Sequence, residues 1–512
     1  MSSSNNPHND KREEDVEDEE SLLAAEDAAE EIDEVDGDVP MDSDDEGGIE
    51  QEELLLHNDS IAFFDQPQDS LFAIAQHPLH PSLIAVGGSA GTEDDAPGAG
   101  WVFDTSAAKS RPVLPPSFAS DPSAAEADSK QNTPLTSLFD LEGHTDSVNA
   151  LTWTLPRGEV LVSAGLDGRI RAWKTEVSQG QGLKMAFLGE AQEVPEINWL
   201  SPCPSPSNPN TIALGASDGS IWVYTIDPSD AANPLQIVQS YFLHTMPSTA
   251  GAWTPDGKLL ATICEDSSLY VWDVWGEAVA SGIASDNGMT VVALNAEDQR
   301  FAVDGGLYSI AMDPKGGWVA VGGASGAIKV VSLPRLSSST QSQSQARGGR
   351  GAPKSASDPT SGGVILASLQ TQSDSVESLA VISTPNTPPS TLLAAGSVDG
   401  SIVVYDATRR FAVRRNMQGA HEEHSVVKLE FVKNSWTLTS CGMDGVVRRW
   451  DLRGGGVTGN NQAGTADAGL VKEWRGHRGD GEGGGVLGFV QGETGERIVT
   501  AGDDGVSLVF EA

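Results

Sequence analysis

The chain is 512 residues long and carries 74 Asp and Glu against 31 Lys and Arg, a formal net charge of −43. A surface this acidic repels phosphate backbones, which argues against nucleic acid as a direct partner and for a basic protein or peptide. Three cysteines, Cys203, Cys264 and Cys441, are too few and too scattered for a disulfide framework or a CxxC metal site, and they fit a reducing compartment.

The chain opens on MSSSNNPHND, without the apolar segment of a secretory signal, and no apolar run approaches the length of a membrane-spanning helix. Residues 1–56 are densely acidic and lack aromatics. Such a segment cannot bury enough apolar area to offset chain entropy, so a disordered tail is expected. It serves either as a solubilising tail or as a loose second contact for a basic client. Both readings stay open.

After Leu56 the pattern changes to short β-branched and aromatic runs separated by Gly, Asp, Asn and Pro, an all-β rhythm. The rhythm repeats. VNALTW with VLVSAGLDGRIRAWK, TAGAWTPDGKLLATICEDSSLYVWD and SVVKLEFVKNSWTLTSCGMDGVVRRWD share one plan. In each, a strand ends in an aromatic, a small-residue strand follows a turn, and an acidic tight turn leads to a strand ending near Trp. Asp-Gly recurs at that turn, as in Asp167-Gly168, Asp218-Gly219, Asp399-Gly400, Asp444-Gly445 and Asp504-Gly505, a strong hairpin signal.

With Gly143-His144, Gly476-His477, Trp272-Asp273 and Trp450-Asp451, and the degenerate Tyr405-Asp406 and Phe103-Asp104, this plan resembles the WD40 repeat family. The resemblance implies an all-β propeller whose blades have four strands each. Units at 70–105, 148–175, 194–226, 249–274, 307–333, 375–408, 425–452 and 485–510 make eight blades, where seven is the commoner number. The domain is expected to span 57–512. The last unit lacks an outer strand, and residues 60–66 (SIAFFDQ) are expected to supply it, so that no sheet edge stays open. Residues 289–295 are the expected outer strand of blade four. Residues 337–363 read as a mobile low-complexity loop. Its RGGRG is a linker in this reading, not an RNA contact.

Ser, His and Asp at 163, 144 and 167 superficially allow a nucleophilic triad. The resemblance implies instead a structural network of His144, Ser163, Asp167 and Trp173, with a partial set in His477, Thr500 and Asp504. No GxxxxGK[ST], HExxH or metal-ligand spacing is present, so no cofactor, metal or catalytic residue is expected. Acid gathers on the turns that share one rim: Glu93, Asp94, Asp95, Asp146, Glu190, Glu193, Glu265, Asp266, Asp374, Glu422, Glu423, Asp480, Glu482 and Asp503. Glu265 and Asp503 precede the turn aspartate and have no evident fold duty. Glu196 and Glu377 lie at strand entries, with Phe72 and Tyr308 placed for cation–π contacts.

The acidic tail, NDSIAFFD, FAIAQHP, EVPEINWL and the closing RIVTAGDDGVSLVFEA together resemble a narrower family: fungal ribosome-assembly WD-repeat proteins, with the angio-associated migratory cell protein as animal relative. These are dedicated chaperones of one large-subunit ribosomal protein, universal L-sixteen (L-ten in older naming). The resemblance implies capture of that client's basic N-terminal segment on the acidic rim. Release would follow onto the pre-60S particle in the cytoplasm, with nuclear entry left open. Asp503 and Glu377 are the expected main anchors, supported by Asp146, Glu265, Glu196, Phe72 and Tyr308. A monomer without membrane contact is expected. A histone-binding or other scaffold propeller is the alternative.

Overall fold

The computed structural model describes residues 58–93, 95–110, 132–178, 182–283, 289–336, 362–453, 469–479 and 484–512. The expected acidic tail, residues 337–361 of the expected mobile loop, Asp94, Asp480 and Glu482 lie outside them.

Eight sheets follow one another along the chain, seven antiparallel sheets of four strands and one mixed sheet of five. Their innermost strands are Leu71–Gln76, Val148–Trp153, Ile197–Pro202, Ser248–Trp253, Leu307–Met312, Val376–Ser383, Val426–Phe431 and Val486–Val490. Each contacts the next, and Leu71–Gln76 contacts Val486–Val490, so the ring closes into an eight-bladed propeller. The second strand of each blade is covered on both faces by neighbouring blades. It therefore reads as a continuous apolar run, such as VLVSAG over Val160–Gly165 or LLATIC over Leu259–Cys264, buried throughout. Outer strands, solvated on one side, alternate instead, as Ser137–Leu141 and Ile365–Gln370 do.

The core lies between blades. Leu259 and Val271 of blade four pack with Val319 and Val331 of blade five. Tyr241 stacks on Trp272 across the next seam, with ring centroids 4.2 Å apart. The outer strand of blade four is Thr290–Leu294, paired with Leu269–Asp273, as the sequence led us to expect.

Closure uses the N-terminal strand. Ala62–Phe64 pairs antiparallel with Ser507–Glu511, with Ala62 opposite Val509. Phe64 is fully buried and stacks on Phe103 at 4.6 Å. A further strand, Thr133–Pro134, was not foreseen. It leaves blade one between its third and fourth strands and pairs in parallel with Ala62–Phe64. The N-terminal strand is thus held from both sides. Asn132 Nδ2 donates to Ser60 Oγ (3.0 Å), and the Arg497 guanidinium donates to the carbonyls of Thr105 (2.7 Å) and Ala108 (3.0 Å). No helix among the described residues is long and apolar enough to cross a membrane.

Candidate functional site: the acidic mouth of the central channel

Every innermost strand shifts register directly after its first residue. Such a bulge takes one residue out of the ladder and re-aims its side chain. Around the ring these residues are Phe72, Asn149, Asn198, Thr249, Tyr308, Glu377, Val427 and Leu487. A second ring lies just outside. In blades two to eight, the first residue of the turn after the second strand donates its N–H to the carbonyl just before the innermost strand. The pairs are Leu166 to Ser147, Ser217 to Glu196, Glu265 to Pro247, Ala324 to Gly306, Val398 to Ser375, Met443 to Ser425 and Asp503 to Gly485. No Lys or Arg stands at any of these positions.

In blades three to six the rings border an open cavity of about 570 Å³, lined by Glu196, Asn198, Ser217, Pro247, Thr249, Glu265, Tyr308 and Glu377. Three carboxylates converge there, and among the described residues none of them has an ion-pair partner. Glu377 is exposed at the mouth, yet loss of hydration and repulsion from Asp374 raise its carboxyl above the usual glutamate range. Burial, followed by Glu265 and Glu377, raises the Tyr308 hydroxyl likewise. That hydroxyl donates to the Gly305 carbonyl (2.6 Å), which fixes the ring at the cavity wall. Gly306 sits at φ +93°, and a Cβ there would lie 2.7 Å from the Glu265 carbonyl oxygen. Only glycine lets blades four and five approach this closely.

The polar bulge residues also stitch blades together. Asn149 Nδ2 donates to the Ile197 carbonyl (2.6 Å), Asn198 Nδ2 to that of Ser248 (2.9 Å), and Thr249 Oγ1 to that of Leu307 (2.7 Å). Asn198, Ser217, Pro247 and Thr249 were not singled out in the sequence. Their signal is positional: each holds one fixed place in the repeat, visible once strand starts are aligned.

The WD domain, G-beta repeat family matches residues 135–174, 236–273 and 363–406. The crystal structure of Chaetomium thermophilum Sqt1 is 56% identical, with a TM-score of 0.75 over 89% of this chain and 98% of that one. The chain belongs to the Sqt1 family. A second structure shows Chaetomium thermophilum Sqt1 bound to the N-terminus of the ribosomal protein L10; it is 55% identical with a TM-score of 0.74, over 89% of this chain and all (100%) of that one. The ribosome assembly protein SQT1 of Saccharomyces cerevisiae is 26% identical over 93% of this chain and 91% of its own length.

Of the anchors expected for this Sqt1-family chain, the structure brings Glu196, Glu265, Glu377 and Tyr308 together. It leaves three elsewhere. Phe72, 43% exposed, holds the bulge position of blade one, outside the cavity. Asp146 is exposed and accepts from the N–H of Ser147 (2.7 Å). The expectation that Asp503 has no fold duty is corrected: its Oδ1 accepts from Ser70 Oγ (2.6 Å) and ties blade eight to blade one.

The histidine sets are packing devices in this Sqt1-family propeller. His144 Nδ1 bonds the Asp167 carboxylate (3.1 Å) and Nε2 meets Ser163 Oγ (2.6 Å). A carboxylate only accepts, so Nδ1 donates and Nε2 accepts from the hydroxyl. His477, Asp504 and Thr500 repeat this arrangement at 3.0 and 2.7 Å. Trp173 is buried in its expected slot, with the Phe187 ring (6.0 Å) and the Arg171 guanidinium (5.8 Å) beside it, and among the described residues no indole bond to Ser163 joins it to the set. The Arg171 guanidinium lies within cation–π range of both rings, closer to Phe187 (4.6 Å).

The indole-to-hydroxyl link is made in blades four and seven, which the sequence reading missed. Trp272 Nε1 donates to Thr262 Oγ1 (2.8 Å), which bonds His244, and Trp450 Nε1 donates to Ser440 Oγ (2.9 Å), which bonds His421. The spacing of 23 residues shared by His144–Asp167 and His421–Asp444 was the available signal. His244, Cys264 and Asp266 place ligand atoms within 4.8 Å of one another. Both His244 nitrogens are already bonded to hydroxyls, and burial pushes the Cys264 thiol up to about 12, so these groups serve the turn network.

Proposed function

We propose that this chain is a dedicated chaperone for a ribosomal protein of the L10 kind. It holds the client's basic N-terminal segment on the acidic mouth and passes the client to pre-60S particles in the cytoplasm. The observation that carries this reading is the convergence of Glu196, Glu265 and Glu377 on one cavity, with no basic residue at any position of the surrounding rings. A ring of carboxylates around an opening focuses negative potential, which speeds capture of a cationic segment. Arginines seated there gain charge-assisted bonds to carboxylates that lack an ion-pair partner among the described residues. Glu377, Glu265 and Glu196 are the main anchors in this reading. Tyr308 supplies an aromatic wall, and Asp503, Asp146 and Phe72 act from the surrounding rim. The L10-bound Chaetomium thermophilum Sqt1 supports the client class. The role is one of binding rather than catalysis, since the His, Ser and Asp groups that could resemble a triad are tied up in buried bonds.

Calorimetry with a synthetic peptide of the L10 N-terminus tests it. Glu265→Lys and Glu377→Lys are each expected to weaken binding at least tenfold, about 1.4 kcal/mol, with the melting temperature kept. Unaltered affinity in both variants, or equal affinity for a histone-tail peptide, overturns the reading.

A further inference from the structure

The mouth is chemically two-sided. Across from the carboxylates, the same ring positions carry Val427, Leu487 and Phe72 at the bulges of blades seven, eight and one. Val398 and Met443 hold the turn positions of blades six and seven, while the carboxylate at that of blade eight, Asp503, is engaged by Ser70. All five side chains are at least partly solvent-accessible, and Phe72 is 43% exposed. Their counterparts Asn149, Asn198 and Thr249 use the equivalent places to bond the next blade. Apolar side chains make no such bond; in this sector the blades are tied instead by Asp503 with Ser70 and by Lys428 with the Phe489 carbonyl, and the apolar bulge side chains stay partly solvent-accessible. The boundary runs through blade six, which carries Glu377 on its innermost strand and Val398 on its turn.

We propose that the mouth recognises a segment that is basic on one side and aliphatic or aromatic on the other, the apolar side chain seating on Phe72, Val398, Val427, Met443 and Leu487. The inference rests on the reading above and names the second half of its partner's chemistry. The occupant follows from continuity: both sectors rim one opening, so a segment held by the carboxylates lies against the apolar sector. Charge complementarity steers a basic segment and sets its sign, but many basic proteins share that sign. Apolar contact adds the discrimination that charge lacks. The two halves also respond differently to salt, because screening weakens the carboxylate half while apolar burial persists.

The test is calorimetry on the full chain at low and high salt with two peptides: the L10 N-terminal peptide, and the same peptide with every aliphatic and aromatic residue replaced by serine. The native peptide is expected to keep measurable binding at high salt, while the serine peptide loses at least tenfold more. Phe72→Ser with Leu487→Ser is expected to abolish that difference. Val427→Thr, which changes polarity and hardly shape, is expected to reduce it and guards against misfolding of the double variant. Equal salt sensitivity of the two peptides overturns the inference, as does an undiminished difference in the variants. Loss of binding in Glu265→Lys and Glu377→Lys with no effect of the apolar variants leaves the chaperone reading standing and removes only this one.

Discussion

Glu377 shows how one residue couples charge to function. Loss of hydration at the mouth and the nearby Asp374 raise its carboxyl above the usual glutamate range. As pH falls, it therefore takes up its proton before an ordinary surface glutamate does, and a neutral carboxyl no longer attracts a cation. Affinity for the L10 N-terminal peptide is expected to drop between pH 7.5 and 5. Glu377→Gln should bind more weakly at pH 7.5 and show a flatter pH dependence. Titration calorimetry at both pH values decides this; an equally steep profile in the variant assigns the titration to another group. A raised carboxyl is also one whose ionised form disfavours the folded state, so Glu377→Gln is not expected to lower the melting temperature.

Within a blade, the turn network sets stability. His421 joins Asp444, Ser440 and, through Ser440, Trp450, with every partner buried or nearly so. Burial pushes the Asp444 carboxyl up, but its bonds to His421 and Arg448 more than reverse this and hold it far below the usual range. His421→Ala orphans several of these groups at about 1–3 kcal/mol each. A thermal melt is expected to shift down by several degrees, whereas Asp146→Ala on the exposed rim should leave it unchanged.

The histidines also impose a pH dependence. Burial, and then the proximity of His80, lower His77 to about 4, and burial lowers His244 and His421 as well. These groups are neutral in the fold and bind protons more readily when unfolded. Their contribution is complete above about pH 6.5 and is lost as pH falls toward 4. The melting temperature should therefore decline from pH 7 to 5, and a flat profile over that range contradicts the assignment. The same bonds explain why only part of the network was legible. His144, Ser163 and Asp167 sit beside a recognisable Gly143-His144, while His244 and His421 follow FL and GA and become visible only through their partners.

At the scale of the whole molecule, closure is the main question for a ring. Residues 60–66 enter the last blade from the opposite end of the chain, and Thr133–Pro134 backs them from outside. Deleting residues 60–66 removes fully buried Ala62 and Phe64 and opens the edge of Ser507–Glu511. The melting temperature is expected to fall sharply; an unchanged melt would show that the ring closes without this strand.

Blade number, strand order and the source of the closing strand were legible in the sequence. Each follows from local chemistry: Asp-Gly turns, runs of small apolar residues, and one strand-like segment left over beside one blade short of a strand. The acid of the future site was legible too, but its grouping was not. Glu196, Glu265 and Glu377 come from three blades far apart in sequence, and Asp503, which looked their equal, is held by Ser70 across the ring closure. The cavity is lined by bulge residues of blades three to six, where Gly306 lets the Glu265 backbone pass close by. The sequence therefore determined which residues the ring contains, because repeats are written locally. The tertiary structure decided which of them share an opening, because that depends on how eight bulges line up around a closed ring.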